Sequence, residues 1–382
     1  MSALPAAARP SRRARTRAAP RWMVPLALLP IGAALVGAVA GGLLRAGVPA
    51  GDGAVIGSAA LGHAALMIGA FLGTVIAVER AAALRQRLAW LGPAVSAAAG
   101  IVWLGGAETI AAALLLAASL LFVGANIVVM RRQRAAHTAL LLAAAVAWTV
   151  GNFGLVAGFG ADAIAAWWFT FLVMTIAAER LEMARLMRHD ARAQRWLIGL
   201  LVALAGGAAL QGAAPVGGVL YGGALLALAG WLGRYDIARR TVRSEGLPRY
   251  MAACLLSGYA WLAVAGIAWA ATALGWAARD AALHALGLGF VFAMMMGHAP
   301  VILPAVARIK VQYGAVFYAP LALLQVSLLV RLGGGAIDAG WRAAGAVLNA
   351  AAIALFALVI AGGAIVWRRR ERVAALQPGR QR

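Results

Sequence analysis

The stretch TIAAALLLAASLLFVGANIVVM occupies residues 109–130, and Arg131, Arg132 and Arg134 follow it directly. The stretch contains no Asp, Glu, Lys or Arg. A bilayer core about 30 Å thick needs roughly 20 helical residues to cross it. Because backbone polar groups in lipid must bond within their own segment, this continuous apolar run predicts a transmembrane helix.

The same pattern continues along the chain, in which 64% of the 382 residues are hydrophobic and 12% are charged. Soluble domains are typically about 45–50% apolar and about 25% charged. We therefore predict an all-α polytopic membrane protein with about twelve transmembrane helices, here called spans one to twelve. The predicted spans are 23–44, 54–78, 88–106, 109–130, 137–158, 162–178, 196–213, 215–233, 250–273, 281–306, 314–331 and 343–367.

Basic residues separate the spans unevenly. Of the 34 Lys and Arg residues, 30 fall on one side of the predicted membrane, and the exceptions are Arg45, Arg279, Arg331 and Arg342. This bias marks the basic side as cytoplasmic, which places both termini in the cytoplasm of a bacterial-type inner membrane. The net charge of +22 therefore indicates topology and a lipid bilayer partner, and not a nucleic acid.

The domain organisation follows from the same pattern. Residues 1–22 form a basic tail that we expect to be disordered, residues 23–367 form the membrane domain, and residues 368–382 form a second basic tail. The loops between spans are too short to fold as separate domains.

Spans two and six share an internal similarity. Phe-Leu, Ile-Ala and Glu-Arg recur at an offset of 100 residues, in 71–80 and in 171–180. Span ten lies four spans further on, runs in the same direction and is rich in Met, Gly and His. A four-helix repeat would arrange the chain as three arcs of four helices, with spans two, six and ten in equivalent places. Common residues such as Ala, Leu and Arg can also produce such a match.

Three histidines lie within predicted spans, where ionisable groups are costly and usually face a cavity, a partner or a cofactor. His63 is about 14 Å below the outer end of span two, and His298 is roughly 18 Å from the same side in span ten. His284 is near the outer end of span ten, about 21 Å along the helix from His298. Depth thus favours His63 and His298 as a pair. Bonding between helices as polar packing residues is the alternative.

Methionine and glycine accompany these histidines. Met67 follows His63 by four residues and Met294 precedes His298 by four, so each shares a helix face with its histidine. A glycine directly precedes both histidines, which lets a flat macrocycle or another helix approach. Imidazole and thioether are common protein ligands of haem iron and of Cu(I). These residues predict a haem site, with copper as a further possible metal.

The arrangement resembles subunit I of the haem–copper oxidases, in which twelve helices in three arcs carry haem-ligating histidines on helices two and ten. The segment HALGLG at 284–289, followed by three methionines at 294–296, is also similar to the NnrS family of haem- and copper-containing membrane proteins associated with nitric oxide stress. The resemblance implies one haem, of b type, with His63 as one ligand and His298 or His284 as the other. His284 is favoured by the NnrS-like segment, and could instead bind copper or a second haem.

The chain departs from the oxidases where their oxygen-reducing centre lies. Span six carries Trp167 and Trp168 in place of a copper-ligating histidine, span seven has no histidine, and span ten lacks two histidines two residues apart. We therefore expect electron transfer or a response to nitric oxide or oxygen, with a redox partner protein or a diatomic gas as partner, and not an oxidase. A secondary transporter with a histidine-lined pathway is the alternative, and a non-catalytic sensor or assembly subunit is a third.

Overall fold

The computed structural model describes residues 23–184, 191–213 and 215–376, and these residues are almost entirely helical. Eleven helices in this part of the chain are long and apolar enough to cross a membrane. The twelfth helix, span seven, begins at Ala191 and ends at Ala209. Span seven is not among the eleven because Arg192 and Arg195 lie in its first turns and shorten its apolar part. The prediction of an all-α polytopic membrane protein is confirmed.

Several helices are longer than predicted because they continue into the basic loops. The observed spans are Met23–Arg45, 54–84, 87–104, Glu108–Arg132, Ala136–Val156, Ala161–Ala184, Ala191–Ala209, Val216–Tyr235, Gly246–Ala273, 279–307, 315–336 and Ala339–Leu376. A short helix, Ala238–Thr241, connects spans eight and nine. Span twelve thus includes residues 368–376 of the predicted tail, whereas the tail 1–22 lies outside the described residues.

Three spans change their winding along their length. Span two consists of Ala54–Leu61, a π-helical segment Ala65–Gly73 and Thr74–Leu84. Span ten consists of Arg279–His284, a π-helical segment Ala285–Phe292 and Ala293–Ala307. In span eleven a third π-helical segment, Leu329–Gly333, follows Tyr318–Leu328, with short 3₁₀ turns at Ala315–Phe317 and Gly334–Ala336. Span three begins with a 3₁₀ turn, Arg87–Trp90, before Leu91–Leu104.

Consecutive spans pack against one another, and span twelve returns to contact span one. Span ten also contacts spans two and six. Spans two and six have the largest buried shares of the candidate spans, 61% and 67% of their apolar windows. Spans two, six and ten therefore lie in the interior of the helix bundle, where side chains meet protein and not lipid.

The residues matched between spans two and six are buried at both places. Phe71 and Phe171, Leu72 and Leu172, and Ala77 and Ala177 all have 7% or less of their surface exposed. Spans two and ten also end alike, because Arg85 and Arg308 adopt left-handed backbone conformations (φ 55° and 56°) at their C-termini. These observations agree with a repeat, while the three arcs of four remain a prediction.

The two ends of the bundle differ in charge. We call the end that carries the arginine-rich loops the basic end, and the other the opposite end.

Candidate functional site

His63 of span two and His284 of span ten face each other toward the opposite end. Their ring centroids are 6.4 Å apart and their planes are inclined by 27°. Two nitrogen–metal bonds of about 2 Å each, added to the radii of two imidazole rings, span a similar distance. The separation of the ring centres would therefore accommodate one metal atom if each ring turned its Nε2 toward the other.

The hydrogen bonds of the two rings determine which nitrogen is available. His63 Nδ1 lies 2.7 Å from the carbonyl oxygen of Ala38 in span one. His284 Nδ1 lies 3.0 Å from the backbone oxygen of Asp280 and 3.0 Å from its Oδ1. Because these partners only accept hydrogen bonds, we assign the proton of each ring to Nδ1, which leaves the lone pair on Nε2. Neither Nε2 makes a hydrogen bond with the described residues. Metal-ligating histidines typically have this arrangement.

Asp280 is itself held in place by spans eleven and twelve. Arg331 donates two hydrogen bonds to it, from Nε to Oδ2 at 3.1 Å and from Nη2 to Oδ1 at 2.9 Å. Arg331 Nη1 also contacts Asn349 Oδ1 at 3.5 Å, and Asn349 Nδ2 donates to Ser327 Oγ at 2.6 Å. Arg331, Asn349 and Ser327 are buried, and this network holds the partly exposed carboxylate and, through it, the orientation of the His284 ring.

Glycines allow the neighbouring helices to approach His63. A Cβ at Gly42 of span one would lie 2.8 Å from His63 Cε1, closer than real side chains pack. A Cβ at Gly62 would overlap the indole of Trp103, whose Nε1 donates to the backbone oxygen of Ser58 at 3.1 Å. The observed position of the His63 ring therefore requires small residues at positions 42 and 62.

The three π-helical segments of the described chain all lie at this site. One begins two residues after His63, one begins directly after His284, and the third contains Arg331. A π-helical turn inserts one residue into a helix and frequently occurs at functional sites. The change of winding therefore positions each of these side chains relative to the rest of its span.

His298 lies elsewhere, toward the basic end. Its Nε2 is 2.7 Å from Arg180 Nη2, and its Nδ1 is 2.6 Å from the carbonyl oxygen of Met294. Because a guanidinium can only donate, Nε2 accepts from Arg180 and Nδ1 donates to Met294. Both ring nitrogens of His298 are therefore engaged by protein groups.

The structure brings His63 to His284 and not to His298, so the pairing predicted from depth is not the one observed. The depth estimate took a span to be as long as the bilayer is thick. Span ten has 29 residues, and His298 lies 19 residues beyond Arg279, or about 28 Å along the helix. His63 lies only nine residues beyond Ala54. The depth of His63 was counted from the outer end of span two, and that of His298 from the inner end of span ten. This difference produced the apparent agreement between their depths.

The methionines do not join the histidine pair through the described contacts. Met294 is buried, and its terminal methyl group fills the space over Gly258 of span nine, where a Cβ would overlap it. Met67 lies inside the π-helical segment of span two and packs against the apolar core. The π-helical i→i+5 winding also removes the strict i, i+4 alignment that predicted a shared face with His63.

Arg180 connects His298 to a cluster of charged residues. Arg180 is 8% exposed, and the Nε atoms of Arg80 and Arg180 have no hydrogen-bond partner among the described residues. Glu79 lies close enough to Glu179 for their charges to interact. The ends of spans two and six, which carry the matched Glu-Arg residues, thus lie close to span ten at the basic end as well.

Asp280, Arg331 and Ala38 are site residues that the sequence analysis missed. Asp280 precedes His284 by four residues, a spacing that places both on one helix face. Arg331 is one of the four basic residues that break the charge bias. These two signals could have identified them, whereas the carbonyl oxygen of Ala38 and the π-helical segments have no signal in the residue types.

Among the described residues, no cluster of three or more His, Cys, Asp or Glu side chains is arranged to hold a metal ion. A family model described as "Domain of unknown function (DUF8744)" matches residues 23–365. No curated protein and no solved structure matches the chain.

Proposed function

The chain belongs to the DUF8744 family, whose description assigns no activity, and we propose from its geometry that it is a haem-binding membrane protein that transfers electrons. One observation carries the proposal. Two imidazoles from spans two and ten lie with their ring centroids 6.4 Å apart, each Nε2 is without a hydrogen-bond partner among the described residues, and both Nδ1 atoms lie within hydrogen-bond distance of oxygen acceptors.

The residues have separate roles in this proposal. His63 and His284 would hold the iron through Nε2, Ala38 and Asp280 hold the rings, and Arg331 holds Asp280. A haem with two histidine ligands supplies one-electron transfer at a potential set by its surroundings. The protein residues orient the ligands and exclude water, and a redox partner protein exchanges the electron.

A response to nitric oxide or oxygen is the physiological context that we propose for this electron transfer. Two histidine ligands would make a bound haem suited to electron transfer and would leave no free ligand position for a gas. Copper held by the same two nitrogens is the second candidate cofactor, since imidazole also suits copper.

A visible spectrum of the purified full-length protein, oxidised and then reduced with dithionite, tests the proposal when iron and copper are counted in the same sample. We expect a Soret band, sharp α and β bands on reduction, and one iron per chain. If the sample contains copper and lacks these bands, the proposed cofactor would be copper and not haem. A featureless spectrum without metal would overturn the proposal and favour a transporter with a histidine-lined pathway.

The proposal also places the basic end in the cytoplasm of a bacterial inner membrane, because cytoplasmic loops carry the excess of Lys and Arg. A reporter fused after Arg382 should be active only in its cytoplasmic form. Activity of a periplasmic reporter at the same position would reverse the orientation.

A further inference from the structure

Four basic residues lie at the opposite end against the charge bias, and two of them have carboxylate partners. Arg331 pairs with Asp280, and Arg279 pairs with Asp162 at 2.6 Å. Arg45 has no carboxylate within 4 Å among the described residues. Its guanidinium makes a single long hydrogen bond, 3.4 Å from Nη1 to the backbone oxygen of Ala60.

Span one places Arg45 beside the histidine pair. Ala38, Gly42 and Arg45 are spaced by four and three residues, so they lie along one face of the helix. Ala38 accepts the hydrogen bond from His63 Nδ1, and Gly42 lies against the His63 ring. Arg45 follows one turn further toward the opposite end, and its bond to Ala60 reaches span two one turn before His63.

The charges around the histidines are not balanced. Arg45 and Arg331 both lie close enough for their charges to act on His63. Asp280 pairs with Arg331, which leaves the exposed Arg45 as a positive charge without a carboxylate partner among the described residues. A ligand that carries a carboxylate at its edge would supply that partner.

We infer that the ligand of the His63–His284 site is a macrocycle with carboxylate side chains, and that Arg45 binds one of those carboxylates. Guanidinium groups bind carboxylates through two parallel hydrogen bonds, and Arg45 has the donors for both. The inference rests on the proposed function, which it deepens by choosing haem over copper and by orienting the edge of the haem that bears its two propionates toward the opposite end.

Titration of the full-length protein, purified from haem-depleted cells, with haemin and with haemin dimethyl ester tests the inference. The ester keeps the iron and the ring but has no free carboxylate. We expect the wild-type protein to bind haemin at least about tenfold more tightly than the ester. R45Q should bind both about equally, and it should retain the low-spin spectrum. R342Q, which changes another basic residue at the same end, should keep the wild-type preference.

Three results would overturn the inference. If the wild-type protein binds haemin and the ester equally and both give a low-spin spectrum, haem binding stands and the role of Arg45 fails. If R342Q abolishes the preference as fully as R45Q, the effect belongs to the overall charge and not to Arg45. If neither compound gives a low-spin spectrum, the proposed function itself fails and the inference with it.

Discussion

The histidine at the basic end and the histidine pair at the opposite end differ in their hydrogen bonds. At the basic end, His298 has Nε2 bonded to Arg180 and Nδ1 bonded to Met294. At the opposite end, His63 and His284 use only Nδ1, so each keeps a lone pair on Nε2.

The difference shows which hydrogen bonds leave an intramembrane histidine with a nitrogen that is able to bind a metal. Burial alone does not distinguish the two regions, because each histidine lies in the interior of the bundle. The neighbours distinguish them. Oxygen acceptors at Nδ1 favour the tautomer that can bind a metal, whereas a guanidinium at Nε2 occupies the atom that would bind it.

Removal of a ligand should have the largest effect. We expect His63→Ala and His284→Ala each to abolish the low-spin haem absorbance, because one imidazole cannot provide two axial bonds. His298→Ala should retain the absorbance. Spectra at equal protein concentration check this, with membrane level and elution from size exclusion as controls. Loss of the bands in His298→Ala alone would reverse the assignment of the two regions.

Removal of the carboxylate behind His284 should have the next largest effect. Asp280→Asn weakens the hydrogen bond that orients the ring and its ion pair with Arg331. Changes at such supporting residues typically cost about 10–100-fold in affinity for the metal. Haem titration measures this, and Asp162→Asn is the matched control, because Asp162 forms an exposed ion pair with Arg279 at the same end. An equal loss in both variants would show a general effect of charge.

A side chain at residue 42 should have a smaller effect. Gly42→Ala places a Cβ 2.8 Å from His63 Cε1, and overpacking of this kind costs about 1–3 kcal/mol. Haem affinity should fall by roughly tenfold. Gly32→Ala, on the same span with nothing within 4 Å of the added Cβ, is the control. Unchanged affinity in Gly42→Ala would mean that span one does not hold the ring as tightly as the contact implies.

The smallest effect on haem should come from the basic end. Arg180→Gln removes the guanidinium from His298, and a hydrogen bond to a charged group contributes about 1.5–3 kcal/mol to stability. We expect a lower thermal unfolding midpoint and an unchanged haem affinity, measured on the same preparation. A haem loss as large as that of Asp280→Asn would show that the two regions act as one site.

Much of the fold could be predicted from the sequence because membrane insertion depends on properties of single segments. Runs of apolar residues give the spans, and the runs of arginine give their ends. Span seven shows the limit of this reasoning, because Arg192 and Arg195 lie inside its first helical turns. The helices extend beyond the predicted ends at residues 78, 178 and 367, because a helix can continue into water when the next residues favour helix formation.

The candidate site could be predicted only in part. The cost of ionisable groups in lipid predicted His63 and His284 as candidate ligands, and the resemblance of 284–289 favoured the latter. The pairing could not be predicted, because it depends on the lengths of two helices beyond the membrane core. Met67 and Met294 were predicted from ideal α-helical spacing. The π-helical segment changes that spacing for Met67, and the side chain of Met294 packs against Gly258.

The sequence by itself determined that the chain crosses a membrane about twelve times and which residues there are chemically unusual, because both follow from the free energy of moving each residue into lipid. Only the tertiary structure decided which histidines meet and which nitrogen each one leaves free. Those features depend on contacts between helices far apart in the chain: Ala38 with His63, Arg331 with Asp280, and Arg180 with His298. No property of a single segment encodes such contacts.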